Sequence, residues 1–161
     1  MTKTRLILMV EDNPDDELLT LDALKSAGLG EPELRCEIAV ARDGVEALEF
    51  LFAEGAYKNR DPQRQPCLVL LDLKLPKLSG FDVLTRMRAD RRTQLTPVVL
   101  LTSSSQEEDM IRGYASGANS FVRKPVHFER FIEAMRSLGQ YWLTVNEVPA
   151  REEARSHGNS S

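Results

Sequence analysis

The sequence predicts a doubly wound α/β domain, because five short apolar runs alternate with five segments of helical periodicity and the runs differ in their patterning. Leu6 to Val10, Leu68 to Leu71 and Val98 to Leu101 are unbroken apolar stretches, as strands covered on both faces must be. The run Cys36 to Ala41, with Arg35 before it, alternates, and Ser120 to Val122 leading into Arg123 is mixed, so these two belong at the edges. Parallel strands joined by right-handed crossovers, with helices on both faces, then fit the order 2-1-3-4-5.

Taken in order, the first strand ends in Glu11-Asp12. Behind an Asn13 cap, Pro14 opens a helix whose face is Leu18, Leu21 and Leu24 and which Gly28 stops. After the second strand, Asp43 with Val45, Leu48 and Leu51 reads as the second helix. The polar stretch 54–66 exceeds the usual connection and is expected on the surface. The third strand, Cys67 to Leu71, leads into Asp72, and Ser79-Gly80 opens a helix carried by Phe81, Leu84 and Met87. The fourth strand leads into Thr102-Ser103. A helix from about Ser105 then presents Met110, Ile111, Tyr114 and Ala118 inward, with Gly117 near its end. The last strand leads into Lys124-Pro125, and a fifth helix from His127 bears Phe128, Phe131, Met135, Leu138 and Trp142 at steps of three and four. The domain is expected over 1–143, with 144–161 a polar, aperiodic tail that buries too little surface to order itself.

At 161 residues the chain fits one domain of roughly 100 to 200 residues with a single core. Its 25 acids against 21 bases oppose a dedicated nucleic-acid binder, since a phosphate backbone needs a basic face. The apolar start is too short for a signal-peptide core or a membrane span, so a cytoplasmic protein without a membrane partner is expected. Cys36 and Cys67, with no Cys-x-x-Cys pair and no nearby His, read as buried, inert thiols.

Ligands of open α/β sheets bind outside the carboxyl ends of the strands. The strand order brings Glu11-Asp12, Asp72, Thr102-Ser103 and Lys124 to one rim. Carboxylates crowded there repel, and the usual resolution is a bound cation or a proton. Oxygen ligands without Cys or His favour a hard ion, and Mg²⁺ tolerates few protein ligands while keeping its waters. Beside it, an ammonium and a hydroxyl make a place where phosphoryl oxygens are neutralised, and a carboxylate there can become the phosphoryl acceptor. Taken singly, Glu11 or Asp12 reads equally well as a helix cap, Thr102 as a strand-end residue and Lys124 as a solvated charge. Asp72 resists the plainer reading because it directly follows a run buried on both faces. Their joint placement at strand ends outweighs the separate readings.

The motifs Val10-Glu11-Asp12-Asn13, Leu71-Asp72-Leu73-Lys74-Leu75-Pro76 with Ser79-Gly80, Pro97 to Ser103, and Gly117 to Pro125 resemble those of the receiver domain of bacterial two-component response regulators, over about residues 5–140. The resemblance implies a flavodoxin-like fold and a signalling acceptor rather than an enzyme. By it, Asp72 accepts a phosphoryl group from a histidine kinase. Glu11, Asp12, Asp72 and the main-chain carbonyl of Lys74 support Mg²⁺, Thr102 bonds the phosphoryl oxygens, and Lys124 pairs with them. Phe121 takes the aromatic switch position, where Tyr is frequent, and so lacks a hydroxyl. Lys74 and Ser104 lie at variable positions that influence hydrolysis, and the Lys124-Pro125 bond is expected to be cis. The loop before Pro66, the Leu-Pro-Lys-Leu-Ser-Gly turn and the segment Gly139 to Thr144 with Val148-Pro149 further resemble single-domain regulators paired with phytochrome-type kinases. With roughly 20 residues after the fifth helix, a stand-alone receiver without an output domain is expected.

Two competing readings follow from the same residues. A haloacid-dehalogenase-like phosphatase would also use an Asp at a strand end, but it carries a second acid two positions on, where Lys74 stands. A degenerate receiver acting only as a binding module would be expected to lack the acceptor or the lysine, and both are present. Finally, the stripe Phe128, Phe131, Met135, Leu138 and Trp142 can be read as no more than the face that packs the fifth helix on its own sheet. Yet a helix from His127 to Leu143 of about 25 Å outruns strands spanning under about 20 Å, so Tyr141, Trp142 and Leu143 are expected to overhang the core and form a homodimer interface.

Overall fold

In a computed structural model that describes residues 5–28, 36–124 and 127–147, five parallel strands form one sheet. They are β1 (Arg5–Val10), β2 (Cys36–Ala41), β3 (Leu68–Leu71), β4 (Val98–Thr102) and β5 (Ser120–Arg123), in the order β2-β1-β3-β4-β5. Helices α1 (Pro14–Ser26) and α5 (Phe128–Gln140) pack on one face. Helices α2 (Gly44–Phe52), α3 (Gly80–Ala89) and α4 (Glu107–Ala115) lie on the other. Strand alternation divides the core accordingly: Leu8, Leu71 and Leu100 join the α2–α3 side, whereas Ile7, Leu70 and Val99 join Phe131 and Met135 of α5. At about 1.5–3 kcal/mol for each large apolar side chain fully buried, the three central strands are the main anchorage of the sheet.

The starts of α1, α2 and α3 near the carboxyl rim are capped by side chains. Asn13 Oδ1 accepts from the amides of Asp15 and Asp16, Asp43 accepts from the Glu46 amide at 2.7 Å, and Ser79 with Asp82 forms a capping box. The surface stretch 54–66 is more ordered than its composition suggests. A one-turn 3-10 helix, Gly55–Tyr57, begins it, and Arg60 stacks on Phe50 while donating to the Phe50 and Arg64 carbonyls. That guanidinium thereby satisfies a carbonyl at the end of α2. Cys36 and Cys67 are free and half-buried, and burial pushes the Cys36 thiol up to about 11.

Three expectations need correction. Leu18 is 61% exposed, and α1 buries Thr20, Ala23 and Leu24 instead. In α4, Ile111 is 62% and Tyr114 50% exposed, while Gly113 is buried. A Cβ there would stand 2.4 Å from Leu100 Cδ1, so this helix meets the sheet through its glycine, which hydrophobic periodicity does not register.

The third correction concerns the chain end. Leu143 is 2% exposed within the α1–α5 core, Trp142 is half-buried against it, and Tyr141 is exposed. Length alone misled here, for two reasons. The turn Tyr141–Val145 is π-helical, and its wider winding brings Leu143 into line with Phe131, Met135 and Gly139 at steps of four. In addition, Leu95, Pro97 and Asn119, ahead of β4 and β5, form with Leu138, Tyr141 and Trp142 a groove that extends the protein beneath the last turn. That turn also carries Thr144 and Val145, past the expected boundary at 143, while 148–161 lie outside the described residues.

Candidate functional site

Backbone hydrogen bonds continue the sheet one residue beyond its strands and so fix the rim. The amide of Glu11 donates to the Ala41 carbonyl at 2.9 Å, that of Asp72 to Val10 at 3.1 Å, and that of Lys124 to Thr102 at 2.7 Å. The turn after Asp72 is closed by the Gly80 amide bonding the Leu73 carbonyl at 2.8 Å. A Cβ on Gly80 would lie 2.2 Å from the Asp72 carbonyl oxygen, so only glycine lets α3 start this close to the acceptor.

Glu11, Asp12, Asp72 and Lys124 come together at the rim, and Thr102 is tied to it through the backbone bond to Lys124. Asp72 is 8% exposed, with Oδ1 accepting from the Lys74 amide at 3.2 Å and Oδ2 from the Lys124 ammonium at 3.0 Å. The same ammonium is bonded to Glu11 Oε1 and lies 3.1 Å from Asp16 Oδ2. Glu11, Asp12 and Asp72 each offer an oxygen, all within 4.8 Å of one another, which is a donor set suited to a hard divalent ion. Burial pushes the Glu11 carboxyl up to about 7, with the neighbouring Asp72 charge adding to the effect against the Lys124 hydrogen bond. Lys124 is held above its ordinary range by the Glu11 and Asp72 carboxylates despite its burial.

On the other side of Asp72, Thr102 is buried, and its Oγ1 accepts from the Ser104 amide at 3.2 Å. The Ser104 hydroxyl in turn donates to Asp109 of α4 at 2.5 Å. Phe121 pairs in register with Leu100 and is half-buried, its Cδ2 3.6 Å from where a Gly113 side chain would begin. The Lys124–Pro125 bond, expected to be cis, lies outside the described residues. Sequence reasoning missed Asp16 and the Ser104–Asp109 bond. An acid in the first helical turn directly after a rim strand was the available signal for Asp16.

Residues 7–136 match the model of the response regulator receiver domain. The chain belongs to the response regulator receiver family. Among relatives of this receiver, Response regulator Rcp1 of Synechocystis is 32% identical over 146 residues, covering 91% of this chain and 94% of its own. A crystal structure of Rcp1 in its Mn²⁺-bound form superposes with a TM-score of 0.79, over 90% of the receiver and 99% of that chain. The phosphorylated cyanobacterial phytochrome response regulator RcpA gives 0.81 at 31% identity, over 91% and 99% of the two chains. The bacteriophytochrome response regulator AtBRR is 47% identical over 91% of the receiver and all of that chain (100%), with a TM-score of 0.71. These likenesses bear out the receiver fold and its resemblance to phytochrome-associated regulators.

Proposed function

We propose that this receiver accepts a phosphoryl group on Asp72 from a histidine kinase of the phytochrome type and changes its surface in response. The observation that carries the reading is the Asp72 carboxylate, set at the end of a buried strand with Lys124 at 3.0 Å and the Glu11–Asp12 pair alongside. An Asp72 oxygen attacks the phosphorus of the phosphohistidine. The P–O bond forms as the P–N bond breaks, and the imidazole leaves. Glu11, Asp12, Asp72 and the Lys74 carbonyl would hold Mg²⁺, which when bound neutralises charge between the carboxylate and the anionic donor. Lys124 then pairs with the phosphoryl oxygens and the Thr102 hydroxyl turns to bond them. Phe121 moves into the space vacated beneath α4. Asp72 is a signalling acceptor in this scheme, not the nucleophile of an enzyme turning over a substrate.

The kinase class rests on the likeness to RcpA and AtBRR, both named as phytochrome-type regulators. A cytoplasmic location goes with that partner, and no described helix is long and apolar enough to cross a membrane. A second copy is the proposed cover for the exposed Tyr141 and Val145 and for the groove that Trp142 lines, with Leu143 now assigned to the core. Sedimentation at tens of micromolar should give a dimer that Val145→Asp weakens.

The reading is tested by intact mass after incubation with Mg²⁺ and acetyl phosphate. Wild type should gain one phosphoryl group, and Asp72→Asn none. No gain in either protein would favour a phosphorylation-independent binding module.

A further inference from the structure

Glu11 and Asp72 supply oxygens to both cations the site must handle: the Lys124 ammonium, which is bonded to each of them, and the divalent ion that the acidic trio fits. The two cations compete. The ammonium sits on Glu11 Oε1 and Asp72 Oδ2, and a dication drawing on the same two carboxylates weakens their hold on Lys124, whose side chain is only 7% exposed and so needs a partner to stay charged. Asp16 is the remaining carboxylate on this ammonium, at 3.1 Å, and it lies outside the trio at the more exposed edge, with a side chain 38% accessible. Its backbone is fixed in the first turn of α1, where its amide donates to Asn13 Oδ1 at 3.1 Å. Asp16 thus offers Lys124 a place to stay charged and paired while Glu11 and Asp72 turn to a metal.

We infer that Asp16 is a positioning residue for metal loading, acting through Lys124: it draws the ammonium to the edge of the site and lowers the cost of binding a divalent ion. The inference rests on the receiver reading of the site, and deepens it. Asp16 touches neither the acceptor nor the trio in this role. Its effect should therefore disappear when Lys124 is removed, whereas a simple long-range charge effect would persist.

The experiment is Mn²⁺ titration by isothermal calorimetry, without phosphoryl donor, on the full chain and four variants: Asp16→Asn, Lys124→Gln, their double mutant, and Asp15→Asn. The last makes the same charge change one residue away on the same helical turn. Asp16→Asn should weaken Mn²⁺ binding roughly three- to tenfold, as expected for loss of one partly buried ion-pair partner. Asp15→Asn should stay within about twofold, and in the Lys124→Gln background the Asp16 effect should also fall within about twofold. Equal weakening in both lysine backgrounds, equal weakening by Asp15→Asn, or no weakening overturns the inference while leaving the metal site standing. A wild type that binds no Mn²⁺ overturns the metal reading and this inference together. Circular dichroism on each variant confirms folding, and should Asp16→Asn fail to fold, Asp16→Ser takes its place.

Discussion

The amide of Ser104 donates to the hydroxyl of Thr102 at 3.2 Å, so the residue proposed to turn toward a phosphoryl group is tied to the loop leading into α4. Thr102→Ala should still accept a phosphoryl group at Asp72, since the acceptor and Lys124 are untouched. It should lose most of the phosphorylation-dependent change at α4 and β5. Amide spectra of the free and phosphorylated forms check this, and a mutant whose two forms differ as much as those of wild type would count against the coupling.

A second expectation follows from Glu11. Its carboxyl rises from an ordinary value of 4.5 to about 7 on folding, so the folded state binds that proton more tightly than the unfolded chain. The stability this contributes is complete below about 4.5 and is lost as pH rises through about 7. A divalent ion needs the ionised form and competes with the proton. Mg²⁺ should therefore raise the Tm more at pH 8 than at pH 6, and Glu11→Gln should remove the difference. Equal Tm gains at the two pH values in wild type would contradict the assignment.

Gly80 provides a steric test. A methyl group 2.2 Å from the Asp72 carbonyl oxygen meets backbone that has no room to yield. Gly80→Ala should cost about 1–3 kcal/mol in urea denaturation and slow labelling of Asp72 by displacing the turn that carries it. Unchanged stability with unchanged labelling would mean the turn relaxes freely.

Arg88, near the end of α3, bonds the carbonyls of Thr93, Gln94, Thr96 and Gly117 and the Asn119 side chain, which itself accepts from the Val98 amide. Arg88→Met keeps the stem but removes the donor that these acceptors share. It should destabilise the fold by about 2 kcal/mol without affecting phosphoryl acceptance, because the cluster lies at the end of the sheet opposite Asp72. Loss of acceptance in a folded Arg88→Met protein would show that the two ends are coupled.

Strand order and the rim were readable because both follow from local signals: unbroken apolar runs for β1, β3 and β4, and a polar residue at the end of each. Asp72, Thr102 and Lys124 needed only that order to be brought together. What escaped depended on close approach or on pairing across the fold. Gly113 gives no hydrophobic signal although it seats α4 on Leu100, and Leu18 gives one although it faces away from the core. Asp16 reads as an ordinary acid of a helix's first turn until the end of β5 brings Lys124 against it, 108 residues along the chain.

The tie between Arg88 and the Gly117 carbonyl has a mechanical consequence for α4. The helix buries only Gly113, and just past its carboxyl end the chain is fastened at Gly117 to the opposite end of the sheet. Its amino end is held to the rim through Asp109 and Ser104. It is a lever pivoted at one end and latched at the other. Helices in switching proteins typically shift by about 1–2 Å. With the pivot at Gly117, such a shift would be greatest at Glu107 and Glu108 and would fall in proportion to distance from the pivot through Ile111 to Tyr114.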